Sequence, residues 1–82
     1  MKLFEIDVRE SADHVSAELQ TLRTQLVNGH IDAAHAVNAA NILARDLKVE
    51  INLSGIDLQQ QSEFTWLFIM IKMFIRHVES NF

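Results

Sequence analysis

Cysteine is missing from this chain, and glycine is nearly so, with Gly29 and Gly55 alone. The first absence removes disulfides, thiolate zinc sites and cysteine nucleophiles together, and it suits a reducing compartment, so a cytoplasmic location is expected. The second leaves no glycine loop that could cradle a phosphate. Clustered positive charge is also lacking. Lys2, Arg9, Arg23, Arg45, Lys48, Lys72 and Arg76 are scattered and mostly close to acids, and the net charge is −4. Nucleic-acid affinity rests on Lys and Arg neutralising phosphates, so no nucleic-acid partner is expected.

Long apolar runs are absent too. The amino terminus, Met1-Lys2-Leu3-Phe4-Glu5-Ile6-Asp7, has neither the apolar stretch nor the small-residue cleavage site of a secretory signal. The longest apolar block, from Phe64 to Ile75, is interrupted by Lys72 and falls short of the ~20 residues that cross a bilayer. A membrane-associated protein acting through this carboxy-terminal block stands as an alternative, although an interfacial helix normally sets Lys and Arg opposite a moderate apolar face. Catalytic signatures are no better represented. Ser11, Ser16, Ser54, Ser62 and Ser80 lie in no nucleophile elbow, and no enzyme is expected.

The 82 residues make one small domain, 1–82. A single core of this size seldom leaves more than ~3–5 kcal/mol of net stability, and without disulfides a partner subunit is the usual supplement. A homodimer is therefore expected.

What the chain does have is concentrated in its last third. At 3.6 residues per turn, Thr65, Lys72, Arg76 and Glu79 fall on one narrow polar strip and the rest of the circumference is apolar. An ordinary surface helix carries an apolar stripe of about 100°, and this arc is more than twice that. One stripe is made by Phe64, Phe68, Ile71, Ile75, Val78 and Phe82. A second, beside it, holds Trp66, Met70 and Met73 with Ile69, Phe74 and His77 adjoining. Stripes of this kind are most often core. Here the companion elements look too slight to bury both, and aromatic and Met enrichment with few charges is the composition of interface cores. The partner or dimer interface is thus expected at Trp66, Ile69, Met70, Met73, Phe74 and His77.

The remaining segments read in order. Residues 2–8 alternate, with Phe4, Ile6 and Val8 on one side, which predicts a half-buried strand. Ser11 stands as a cap, and a helix follows to about Asn28 with Val15, Leu19, Leu22 and Leu26 as a two-per-heptad seam. Its other surfaces are polar, which places it outermost. Asn28-Gly29 ends it. Asp32 caps an alanine-rich helix from Ala33 to about Leu47, a layer wedged between the first helix and the last. Residues 48–54 alternate again, with Val49, Ile51 and Leu53 inward, and predict a second strand. Ser54-Gly55 turns the chain, and Asp57 with Gln60 forms a capping-box pattern that opens the last helix near Leu58.

The expected fold is mainly α with a minor β component (α+β): β-α-α-β-α, two short strands, a long apolar carboxy-terminal helix and a dimeric state. An all-α three-helix bundle is the alternative. A helix-turn-helix reading of residues 42–49 fails, because Glu50-Ile51-Asn52-Leu53 alternates and the segment after it is Gln-rich, acidic and broken by Gly55. The stretch from Gly29 to about Lys72, with a helix leading into Val49-Glu50-Ile51-Asn52-Leu53-Ser54-Gly55-Ile56 and then an apolar helix, resembles the central strand and following helix of the anti-sigma-factor antagonist (STAS) family. That resemblance implies a phospho-acceptor loop, where this chain has Gln60-Gln61-Ser62-Glu63, and a sheet with no further counterpart here.

Histidines are the remaining candidates for chemistry. His14 and Glu18 lie one helical turn apart, and His30, Asp32 and His35 gather at a helix start. Such pairs are ordinary on solvated surfaces, and a metal site needs three or four converging ligands with a second shell. A His/carboxylate metal-binding helical protein is retained as an alternative, with no cofactor or metal expected. The functional expectation is a non-enzymatic regulator that self-associates and binds another protein, such as an inhibitor or antirepressor-like regulator of a microbial or phage system.

Overall fold

A computed structural model describes residues 7–82. The elements are α1 (Val8–Val27), α2 (Ala33–Ser54), the short α3 (Leu58–Ser62) and α4 (Thr65–Asn81), with no strand among the described residues. The all-α three-helix bundle is therefore the architecture, with α3 inside the connection from α2 to α4.

Helix α1 starts earlier than its sequence suggests. The Asp7 carboxylate accepts hydrogen bonds from the backbone N–H of Arg9 at 2.7 Å and of Glu10 at 3.2 Å, so Asp7, and not Ser11, is the cap. The carboxylate at this end also sits at the positive pole of the helix. Val8 thereby becomes helical, and the rest of the proposed first strand, residues 2–6, lies outside the described residues. At the far end His30 N–H reaches the Gln25 carbonyl at 2.8 Å and Gly29 N–H the Leu26 carbonyl at 3.1 Å. This paired closure needs a left-handed residue, and Gly29 supplies it at φ 75°. The chain reverses within a few residues, and the Asp32 carboxylate caps α2 through His35 N–H at 2.8 Å.

The second strand is not formed, because α2 runs unbroken through residues 48–54. Alternation over so short a stretch is a weak signal beside the spacing it continues. Ala36, Ala40, Leu43, Leu47, Ile51 and Ser54 recur every three or four residues, and all are buried or half-buried. Extending the helix keeps every backbone N–H bonded within the segment and puts Ile51 into the core. Two isolated strands would have been marginal in water. Val49 and Leu53, expected inward beside Ile51, instead point outward at 48% and 45% exposure. The hydroxyl of fully buried Ser54 donates to the Ile51 carbonyl at 2.8 Å. Gly55, at φ 68°, closes the helix. The same continuity removes the helix-turn-helix, since there is no turn at residues 47–49, and it removes the strand on which the STAS resemblance rests.

Between α2 and α4 the Asp57/Gln60 capping box forms as its spacing predicts, with Gln60 N–H on the Asp57 carboxylate at 2.8 Å. The last helix is nonetheless divided. Glu63 N–H and Phe64 N–H bond to the carbonyls of Gln60 and Gln61, each three residues back, and Leu67 N–H bonds to Phe64 in the same way. This 3₁₀-like tightening turns the axis, and it buries Phe64 at the corner to 2% exposure.

The three long helices pack in an up-down-up order. A groove lined by Ala33, Val37, Asn41 and Glu79 joins the start of α2 to the end of α4. Another, lined by Val8, Ala12, Glu63 and Trp66, joins the starts of α1 and α4. Helix α2 is not a wedge, because α1 also packs directly on α4, although the α2 and α4 pairing is the most extensive. The core is a set of seams with heptad spacing. Val15, Leu19, Leu22 and Leu26 come from α1, and Leu67, Ile71, Phe74 and Val78 from α4. Fully buried Ala36 and Ala40 let a neighbouring backbone approach α2 closely.

The helical course of residues 48–54 has a direct consequence. Val49→Glu should change stability by no more than about 0.5 kcal/mol, as at an ordinary surface site. Ile51→Glu should cost about 3 kcal/mol or more by burying an unpaired carboxylate, enough to unfold a domain of this size. Urea titration followed by circular dichroism checks both. Equal damage at the two positions would restore the strand, in which they share a face.

Candidate interaction face

The side chains left over after the core is filled define the candidate site. On α4 the core takes Leu67, Ile71, Phe74 and Val78, with Phe68 and Ile75 half-buried on the α2 side. One position earlier along the helix, Trp66, Met70, Met73 and His77 repeat the same four, three, four spacing. They form a second seam, rotated by about 100° from the first. Trp66 is 47% exposed and Met73 65%, with neighbouring Ile69 at 51%. His77 is exposed and Met70 is half-buried against the core.

Phe74 does not belong with them. The sequence expectation of Phe74 at the interface is corrected here: at 6% exposure it is part of the chain's own core, because its position falls between Ile71 and Val78 on the inward seam. The four α1 seam residues, Val15, Leu19, Leu22 and Leu26, are likewise buried and present nothing to a partner. In the stripe of Phe64, Phe68, Ile71, Ile75, Val78 and Phe82, Phe82 is 57% exposed.

His77 is held in a defined pose. The Asn81 side-chain amide donates to the His77 carbonyl at 2.9 Å and lies 3.2 Å from Nδ1, while the Phe82 ring meets the imidazole edge-on at 6.5 Å.

Sequence reasoning missed another apolar stripe. Ile42, Val49 and Leu53 on α2 are all close to half-exposed, but reading residues 48–54 as a strand scattered them over two elements. Their helical spacing with position 46 is also four, three, four, and that position is Asp46. The carboxylate interrupts the stripe and lies 3.9 Å from the exposed Arg45 guanidinium. The α4 seam carries no charged residue at any of its four positions.

Among the described residues no group of three His, Asp or Glu side chains converges as a metal site would require. His14 with Glu18, and His30 with Asp32 and His35, are solvated surface residues. No described helix is long and apolar enough to cross a membrane. No protein-family model, curated protein or solved structure matches the chain.

The two seams of α4 should respond differently to charge. Trp66→Glu combined with Met73→Glu should leave the helical circular dichroism signal intact, because both side chains already meet solvent. Phe74→Glu should abolish the cooperative melt. Loss of helicity in the double variant would show that the outer seam is needed by the isolated chain.

Proposed function

We propose that the protein is a non-enzymatic regulator that works by protein binding, self-associating through the outer seam of α4 and engaging another protein, in the manner of an inhibitor or antirepressor of a microbial or phage system. The observation that carries this reading is the uncharged run of exposed Trp66 and Met73 with half-buried Met70 between them and exposed Ile69 beside it. Isolated exposed apolar side chains are normal on any surface, whereas contiguous patches mark interaction sites.

The magnitudes support association of modest strength. Full burial of a large apolar side chain contributes about 1.5–3 kcal/mol. Trp66, Ile69 and Met73 are each about half exposed, so covering them in two copies contributes somewhat under 10 kcal/mol in gross terms. Association costs roughly 4–15 kcal/mol in lost freedom. Even at the low end of that cost the balance is about −5 kcal/mol, which corresponds to a weak dimer with a dissociation constant of roughly 10⁻⁴ M.

Sedimentation velocity at concentrations up to the millimolar range should show a monomer–dimer equilibrium, and Trp66→Glu with Met73→Glu should shift it to monomer. Affinity capture from the native host, with the double variant as control, examines the second partner. Monomer at every concentration refutes self-association, and an identical capture profile for the two proteins refutes the role of this face.

A further inference from the structure

We infer that Glu63 and Phe64 form a hinge on which α3 swings from its bent position into line with α4, and that the Ser62 hydroxyl holds the bent form; this stands whether or not the chain self-associates. The chain has no proline, and residues 58–64 include no glycine, so neither of the usual breakers divides the helix here. Both corner residues keep right-handed helical backbone, Glu63 at φ −67° and ψ −20°, Phe64 at φ −89° and ψ −9°. An uninterrupted α-helix has ψ near −42°. The bent and in-line forms therefore differ by modest rotations within one basin of backbone conformation. A short 3₁₀ stretch between two helical segments is where such a hinge is found.

The hydrogen bonds at the corner show what holds it. In an α-helix Glu63 N–H would bond to the Gln59 carbonyl, four residues back. It bonds instead to Gln60, and the Ser62 hydroxyl donates to the Gln59 carbonyl at 2.6 Å in its place. A serine that bonds back to the preceding turn in this way favours a bend. None of the side chains of α3 is buried, and Leu58 is 83% exposed. The segment hangs between two buried anchors, Ile56 and Phe64, with the Gln61 side-chain amide donating to the Ile56 carbonyl at 3.1 Å. Swinging into line draws on those anchors and gains unbroken α-helical bonding from Leu58 to Asn81. The bent form is thus the major one and the in-line form a minority.

The swing has a consequence outside α3. Glu63 lines the groove between the starts of α1 and α4, together with Val8, Arg9, Ala12 and Trp66. Rotation at the hinge moves that wall relative to Trp66, so α3 acts as a lever that changes the width of the groove.

Relaxation dispersion of the backbone amides reads minority forms that exchange on the microsecond-to-millisecond scale. In the full chain it should show exchange at residues 58–64 and none in α4 beyond Leu67. Ser62→Ala, at an exposed position, should enlarge the minority population while the helical circular dichroism signal is kept. Flat dispersion in both proteins, exchange spread evenly along α4, or exchange that Ser62→Ala leaves unchanged overturns the hinge. Because the chain has no cysteine, spin labels at Leu58→Cys and Lys72→Cys, both exposed, report the bend directly. Fourteen residues in line span about 21 Å along the axis, and the bent form is shorter. With Ser62→Ala and Phe64→Ala combined, the longer distance should become the major one in pulsed electron paramagnetic resonance. A folded double variant that keeps the shorter distance also overturns the hinge, and if that variant loses its helical signal the dispersion result decides.

Discussion

Everything in this small bundle depends on the inward seam of α4. Leu67, Ile71, Phe74 and Val78 present a continuous apolar ridge that is buried against α1 and α2, and no disulfide is present to compensate for a poor core. The other two helices are shaped to that ridge. Helix α1 offers four aliphatic side chains at coiled-coil spacing, and α2 combines small residues at one end with Leu47 and Ile51 at the other. Described surface ion pairing contributes little, being the exposed Arg45 and Asp46 contact at 3.9 Å. Polar satisfaction is complete among the described residues, where no buried side-chain N or O atom lacks a partner.

A second consequence follows from the same helix. A three-helix bundle gives each helix two neighbours, and those leave part of the apolar circumference of α4 uncovered. Its sequence is apolar over far more. The surplus falls on Trp66, Ile69, Met70 and Met73, one position out of phase with the core. Met70 and Trp66 mark the boundary, the first half-buried and the second lying beside the α1 groove. In the proposed reading the inner seam, fixed by packing, presets the outer one, and such preorganisation lowers the entropic cost of association.

The segment at residues 48–54 shows how local and global signals compete. Val49, Ile51 and Leu53 alternate with Lys48, Glu50 and Asn52, and β-branched residues at period two favour a strand. The heptad series from Ala36 to Leu47 runs through the same residues and ends at Ile51 and Ser54. The outcome was decided by the neighbour, since α4 offers a long apolar ridge with room for about two more turns of α2, while a lone strand would have had no edge to pair with among the described residues. The division at Glu63 and Phe64 has a similar origin. Nothing in the local sequence breaks the helix there, and the tightened turn forms because Phe64 gains a buried position.

By itself the sequence determined the features that rest on short-range chemistry: caps at Asp32 and Asp57, the glycine closure at Gly29, the α1 seam, and the excess of apolar surface on the last helix. Spacing and backbone hydrogen bonding are local, so they can be read from a few adjacent residues. The tertiary structure alone decided that residues 48–54 are helical, that Phe74 faces inward while Met73 faces out, and that α1 touches α4 directly. Each of these depends on which side of an apolar cylinder meets a neighbour first, and a rotation of about 100°, invisible in composition, separates core from exposed surface.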